Sequence, residues 1–171
     1  KCNLACTFCY HRELTAEQKI HMKFDLFKKI IDEAKIYKLP SVNLNGLGEP
    51  ITHPKLVDMI RYCKDSNIED IMFHTNGTVM TEKFAKKIIE AGLTQIIFSL
   101  DTTDKKTYEE MRIGANFEEV NENVEKFIKV KNQMGSKLPI VKTVMVLTDK
   151  TVHHAPEFKK KWQEKSDSIA A

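Results

Sequence analysis

Three of the four cysteines stand in the first nine residues, KCNLACTFC, at Cys2, Cys6 and Cys9. Thiols at C-x3-C-x2-C spacing can wrap one small object only from a loop, because a helix or strand would splay them. An odd number does not make a disulfide framework, and a structural zinc site asks for four ligands. His11, two residues after Cys9, would complete a zinc set of three cysteines and one histidine. A cubane [4Fe–4S] cluster normally takes one thiolate per iron. Three thiolates leave one iron open to a substrate or cofactor, which gives the odd number a use.

Other chemistry-bearing residues fall just after apolar runs. GLGEP (46–50), HTNG (74–77), FSLD (98–101) and LTDK (147–150) each follow a short apolar stretch and precede a helical pattern. The spacing predicts helices from Phe24 to near Leu39-Pro40, over KLVDMIRYCKDS, from Thr81 to Ala91-Gly92, over Lys105 to Met111, from Phe117 to about Met134, and over PEFKKKWQEK. Strands are expected at SVNLNG, IEDIMFHTNG, TQIIFSLD and PIVKTVMVL, with one more begun at SDSIAA. Thr81 and Asn116 read as N-caps. Alternating strands and helices with short apolar strands make an α/β domain, either a barrel or an open sheet. In both, chemistry gathers at the C-terminal ends of the strands. Each loop alone is explained by turn or capping chemistry, but their convergence with a tri-cysteine loop on one rim points to a site. Cys63, on a stripe with Leu56, Met59 and Ile60, reads as core. His53, the His153-His154 pair and Trp162 read as capping, loop and packing residues.

With 171 residues, the chain suits one domain with a single sizeable core. A net charge of +3, with lysines interleaved among acids as in IIDEAKIYK, argues against nucleic acid as a partner. No apolar run reaches membrane-spanning length and no signal peptide precedes Cys2, so no membrane partner is expected. Unevenly placed thiols suit a reducing interior, and a cytoplasmic location is expected.

CNLACTFCY resembles the signature of the radical S-adenosylmethionine (SAM) enzymes, with Phe8 as the usual aromatic before the last cysteine. GLGEP is similar to the glycine–glutamate motif after that family's second barrel strand, and HTNG and FSLD are similar to its third and fourth strand ends. FSLDTTDKKTYEEMRIGANFEEV resembles the branch whose members usually carry a SPASM or twitch extension. The likeness runs over essentially the whole chain.

The resemblance implies a partial (β/α)6 TIM-like barrel of parallel strands. It implies that Cys2, Cys6 and Cys9 hold a [4Fe–4S] cluster whose open iron is chelated by the amino and carboxylate groups of SAM. One electron from a low-potential donor would cleave SAM to methionine and a 5′-deoxyadenosyl radical, which abstracts hydrogen from a substrate. That substrate would be a peptide or protein, as for maturases, or a sugar or other small metabolite. Glu49 would accept hydrogen bonds from the SAM ammonium, with Gly48 allowing close approach. Phe8 would lie near the adenine, and Thr75, Asn76, Ser99 and Asp101 would line the cofactor site. Arg112 would grip the SAM carboxylate.

The chain departs from the family pattern in three ways. No strand precedes the cysteine loop, the sixth is only begun, and no C-terminal cysteines follow. Residues 1–171 are therefore expected to be a fragment of a radical SAM core domain, first strand missing and sixth incomplete, without an auxiliary-cluster domain. The competing class is a non-catalytic zinc-binding or iron–sulfur electron-transfer module, which would leave the GEP turn unexplained.

Overall fold

Apolar residues at helical spacing and in short β runs divide the chain, and each run forms the expected element in a computed structural model describing residues 1–171. The strands are β1 (Ser41–Asn43), β2 (Asp70–Thr75), β3 (Gln95–Ser99), β4 (Ile140–Val144) and β5 (Ser168–Ala170). The helices are α1 (Phe24–Ile36), α2 (Leu56–Asp65), α3 (Glu82–Glu90), α4 (Lys105–Met111), α5 (Phe117–Gln133) and α6 (Ala155–Trp162). None is long and apolar enough to cross a membrane.

All five strands pair in parallel in one sheet, in the order β1-β2-β3-β4-β5. This order decides between the two architectures compatible with the pattern. A doubly wound sheet reverses its strand order at a switch point, whereas a barrel wall winds one way. Here spatial order follows chain order without reversal, so the sheet is part of a (β/α) barrel.

One-way winding gives the sheet two unlike faces. Ile71, Phe73, Ile96, Phe98 and Val141, at alternate positions, are fully buried in the core with the helices, and the Phe98 ring meets Phe127 of α5 edge-on at 5.5 Å. The intervening Met72, Gln95, Ser99, Lys142 and Val144 are half-buried on the open face, and His74 is exposed there. Along the unpaired edge of β1, an apolar groove of about 410 Å³ is walled by Ile20, Met22, Phe27, Ile31 and Val42. It borders Glu49 but not the cysteines.

Local signals account for most element ends. The Thr81 hydroxyl accepts from the Phe84 amide and the Asn116 side chain from that of Glu119, as the capping pattern predicts. α1 stops at Ile36, short of the expected Leu39-Pro40. Lys38 turns left-handed at φ 52°, and Pro40 disfavours helical geometry in the residue before it. The strand expected over PIVKTVMVL narrows to Ile140–Val144, and the neighbour it pairs with beyond Asp167, β5, is only three residues long.

Candidate active site

The cysteine loop is irregular chain tied to two strand-end loops and to the end of α4. The Glu49 amide donates to the Lys1 carbonyl at 2.8 Å, attaching the loop to the GEP turn after β1. The Asn3 side chain accepts from Asn76 Nδ2 at 3.1 Å and donates to the Thr78 hydroxyl at 2.7 Å, attaching it to the TNG loop after β2. The Ala5 and Thr7 amides donate to the carbonyls of Ile113 and Met111 at 3.0 and 2.8 Å, attaching it to the end of α4. Leu4 is buried near Gly114 and anchors the loop. Gly48 is required by the first of these ties, because a Cβ there would run into the Lys1 carbonyl. The close approach read from GLGEP is thus made by the chain's own backbone.

All three loop thiols are free, with Cys6 buried and Cys2 and Cys9 half-buried. Burial pushes the Cys6 thiol up, against the Arg112 charge, which favours its thiolate. Burial likewise pushes Cys2 up, helped by the charges of Glu49 and Cys9. No three His, Cys, Asp or Glu side chains are drawn together as ligands of a single ion. Cysteines that hold a cubane bind separate irons, so they need not converge on one point.

Glu49 is buried at the head of a short 3-10 turn, Pro50–Thr52. Its Oε1 accepts from the Thr75 hydroxyl at 2.7 Å and the Ile51 amide at 3.2 Å, and its Oε2 accepts from the Asn76 amide at 2.7 Å. Burial raises its carboxyl above the ordinary carboxylate range despite these bonds and the nearby Arg112 charge. The Asn76 Oδ1 accepts from Thr78, closing the TNG turn, and Gly77 takes the left-handed φ of 73° that the turn needs. Glu49, Thr75 and Asn76, read as separate candidates from the sequence, are one hydrogen-bonded unit.

Asp101 and Arg112 form a second unit. Asp101 is fully buried just beyond β3 with a left-handed φ of 59°, a conformation Asp tolerates better than most residues. Its Oδ2 accepts from Arg112 Nε and Nη2 at 2.7 and 2.6 Å, and its Oδ1 accepts from the Val146 amide at 3.2 Å. The guanidinium lies 5.7 Å from the Phe8 ring centre and 6.0 Å from that of Tyr108. Phe8 itself is 45 % exposed. Ser99 is half-buried on the open face at the end of β3.

The residues read as structural behave so. Cys63 is fully buried and its thiol is pushed up to about 12 by burial. His53 accepts locally from the Lys55 amide and bonds the Met22 carbonyl, while Trp162 is packed in the core. Three residues here were not singled out in the sequence. Asn3 lay between two cysteines, Tyr108 was four residues from Arg112, and Asn123 was a polar residue on the buried side of α5. Asn123 Nδ2 donates to the Gly77 and Thr78 carbonyls at 3.0 and 3.2 Å.

A one-way parallel barrel wall with three free thiols on a loop pinned at its C-terminal rim defines a class, the partial barrels that carry chemistry on that rim. The model of the radical SAM superfamily matches residues 1–160, and the chain belongs to that superfamily. A probable GTP 3′,8-cyclase of Methanococcus maripaludis is 35% identical over 130 residues, 76% of this chain and 43% of that protein. A tungsten-containing aldehyde ferredoxin oxidoreductase cofactor-modifying protein of Pyrococcus furiosus is 30% identical over 159 residues, 92% of this chain and 44% of that one. The chain spans less than half the length of these relatives. Among solved structures, Streptococcus suis SuiB bound to S-adenosylmethionine shares the fold with a TM-score of 0.77 at 21% identity, over 96% of this chain and 36% of that one. The anSMEcpe structure with bound AdoMet gives 0.75 at 22%, over 99% and 48%.

The family implies a [4Fe–4S] cluster, and the residues present fit it. The donor set is three free thiols, one short of a cubane's usual four. The Arg112 charge favours thiolate at Cys6, and the buried hydroxyl of Tyr108, on the helix that holds this part of the loop, has no hydrogen-bond partner.

Proposed function

We propose that the protein is a radical SAM enzyme in which Cys2, Cys6 and Cys9 hold a [4Fe–4S] cluster and SAM binds across the strand-end rim. The observation that carries this reading is the tying of the cysteine loop to the GEP, TNG and α4 loops at once. A loop that bound metal alone would not need two strand ends and a helix end around it. When bound, the cluster supplies the electron that breaks the sulfonium bond of SAM and so starts hydrogen abstraction from a substrate.

The chain's own groups divide the remaining work. Glu49 has spent three acceptor positions on the fold, and a further lone pair on Oε2 is open to the SAM ammonium. The Nε–Nη2 edge of Arg112 is taken by Asp101 Oδ2, so the SAM carboxylate would meet the remaining Nη1 and Nη2 donors. Asp101 orders Arg112 through Oδ2 and lines the cofactor site beside it. Phe8 offers an exposed ring to the adenine, while Ser99 faces the cofactor from the open face of β3.

We further read the chain as part of a larger radical SAM core of the SPASM-like branch, with the free β1 edge bordering a further strand. Its substrate is a peptide or protein, or a sugar or other small metabolite, and a low-potential donor reduces the cluster. One relative modifies an enzyme cofactor and another cyclises GTP, by their names, while SuiB is known bound to its precursor peptide SuiA. The test is anaerobic reconstitution with iron and sulfide, followed by EPR of the dithionite-reduced protein. A cluster signal that changes on adding SAM is expected. A cluster signal indifferent to SAM, or a folded protein that takes up zinc but no cluster, would sink the proposal.

A further inference from the structure

Two buried side-chain polar atoms have no hydrogen-bond partner, His11 Nε2 and the Tyr108 hydroxyl, and both lie at the cysteine loop. His11 belongs to the short 3-10 turn that follows Cys9. Tyr108 lies on α4, the helix whose end holds the cysteine loop. The Ala5 and Thr7 amides bond to Ile113 and Met111, so the backbone on either side of Cys6 is held against the end of α4. Tyr108 is one turn earlier on that helix, and its carbonyl accepts from the Arg112 amide at 2.8 Å. Its side chain is 1% exposed.

The phenol has nowhere in the protein to donate its proton. Arg112, whose guanidinium lies over the ring, carries only donors. Asp101 takes Arg112 on Oδ2 and the Val146 amide on Oδ1, and neither oxygen accepts from the phenol. Glu109, on the same helix, accepts from the Phe117 amide and takes nothing from the phenol. That leaves Cys6, and a neutral thiol is a weak acceptor. A thiolate or sulfide carrying negative charge is a much better one, since hydrogen bonds to charged acceptors are the strong ones.

We propose that Tyr108 donates a hydrogen bond to a sulfur at the Cys6 corner of the cluster and thereby raises the cluster's reduction potential; this rests on the cluster reading above. Reduction adds negative charge to the sulfurs, so a donor aimed at one of them stabilises the reduced form more than the oxidised form. Such a bond would give the Tyr108 hydroxyl the acceptor that no group of the protein supplies.

Tyr108→Phe tests this in the whole protein. Without cluster, the variant should melt at the wild-type temperature or above, because it removes a buried hydroxyl that bonds nothing. With cluster, it should hold as much iron and sulfide as wild type, and an EPR-monitored redox titration should find its midpoint shifted negative. A tenfold loss in the reduction equilibrium, about 59 mV for one electron, is expected. A loaded variant with the wild-type midpoint would overturn the proposal. So would a variant that unfolds, is less stable without cluster, or fails to load, since the hydroxyl would then serve the fold. Failure of wild type itself to take up a cluster would instead sink the reading on which this one rests.

Discussion

At the level of single residues, the site is two buried charge systems solved differently. Glu49 meets only neutral donors, so burial wins and its carboxyl rises. Asp101 meets a guanidinium head-on, and neither partner is more than 7 % exposed in its side chain. Breaking such a pair leaves a charge that the interior cannot solvate, a far larger penalty than losing an exposed ion pair. Asp101→Ala should therefore lower the unfolding free energy of the cluster-free protein by about 3–5 kcal/mol in urea titration. A loss below about 1 kcal/mol, the size expected of a surface pair, would show that Arg112 reaches water without Asp101. Sequence reasoning placed both residues at the rim but gave them separate roles.

At the level of elements, α5 does more than cover the sheet. Phe127 packs on Phe98, and Asn123, on the same buried side, holds the TNG loop through two backbone carbonyls. That loop presents Asn76 to both Glu49 and Asn3, so a helix on the outside of the wall steadies the cysteine loop on its rim. Asn123→Ala should cost about 1–3 kcal/mol by leaving those carbonyls unpaired. Hydrogen exchange at the Gly77 and Thr78 amides should quicken while exchange in β3 is unchanged. Equal protection of the TNG amides in variant and wild type would remove Asn123 from this role.

For the whole molecule, several shifted groups set how the fold responds to acid. His11, His21 and His74 are all held below the ordinary 6.5, chiefly by burial, with neighbouring positive charges acting the same way. The unfolded chain then binds more protons than the fold, so this stability is present above pH 6.5 and is lost as pH falls toward the folded values. Glu49 has the opposite sign. Its raised carboxyl favours the fold below the ordinary carboxyl range, and that gain is lost as pH rises through the folded value. Three groups against one predict a lower urea midpoint for the cluster-free protein at pH 5.5 than at pH 7.5. A midpoint that holds or rises on acidification would contradict the histidine environments described.

The sequence by itself determined the elements, the caps at Thr81 and Asn116, the core role of Cys63 and the gathering of the cysteine, GEP and TNG loops on one rim. These depend on spacing within a helical turn, alternation in a strand, or the direction of parallel strands, all of which a linear pattern records. Only the tertiary structure decided the one-way strand order, the capture of the Arg112 fork by Asp101, the backbone that Gly48 admits, and the unpartnered hydroxyl of Tyr108. Each is a contact between segments brought together by folding. A residue's type tells how many hydrogen bonds it can make, while its partner depends on which distant segment the folded chain places beside it.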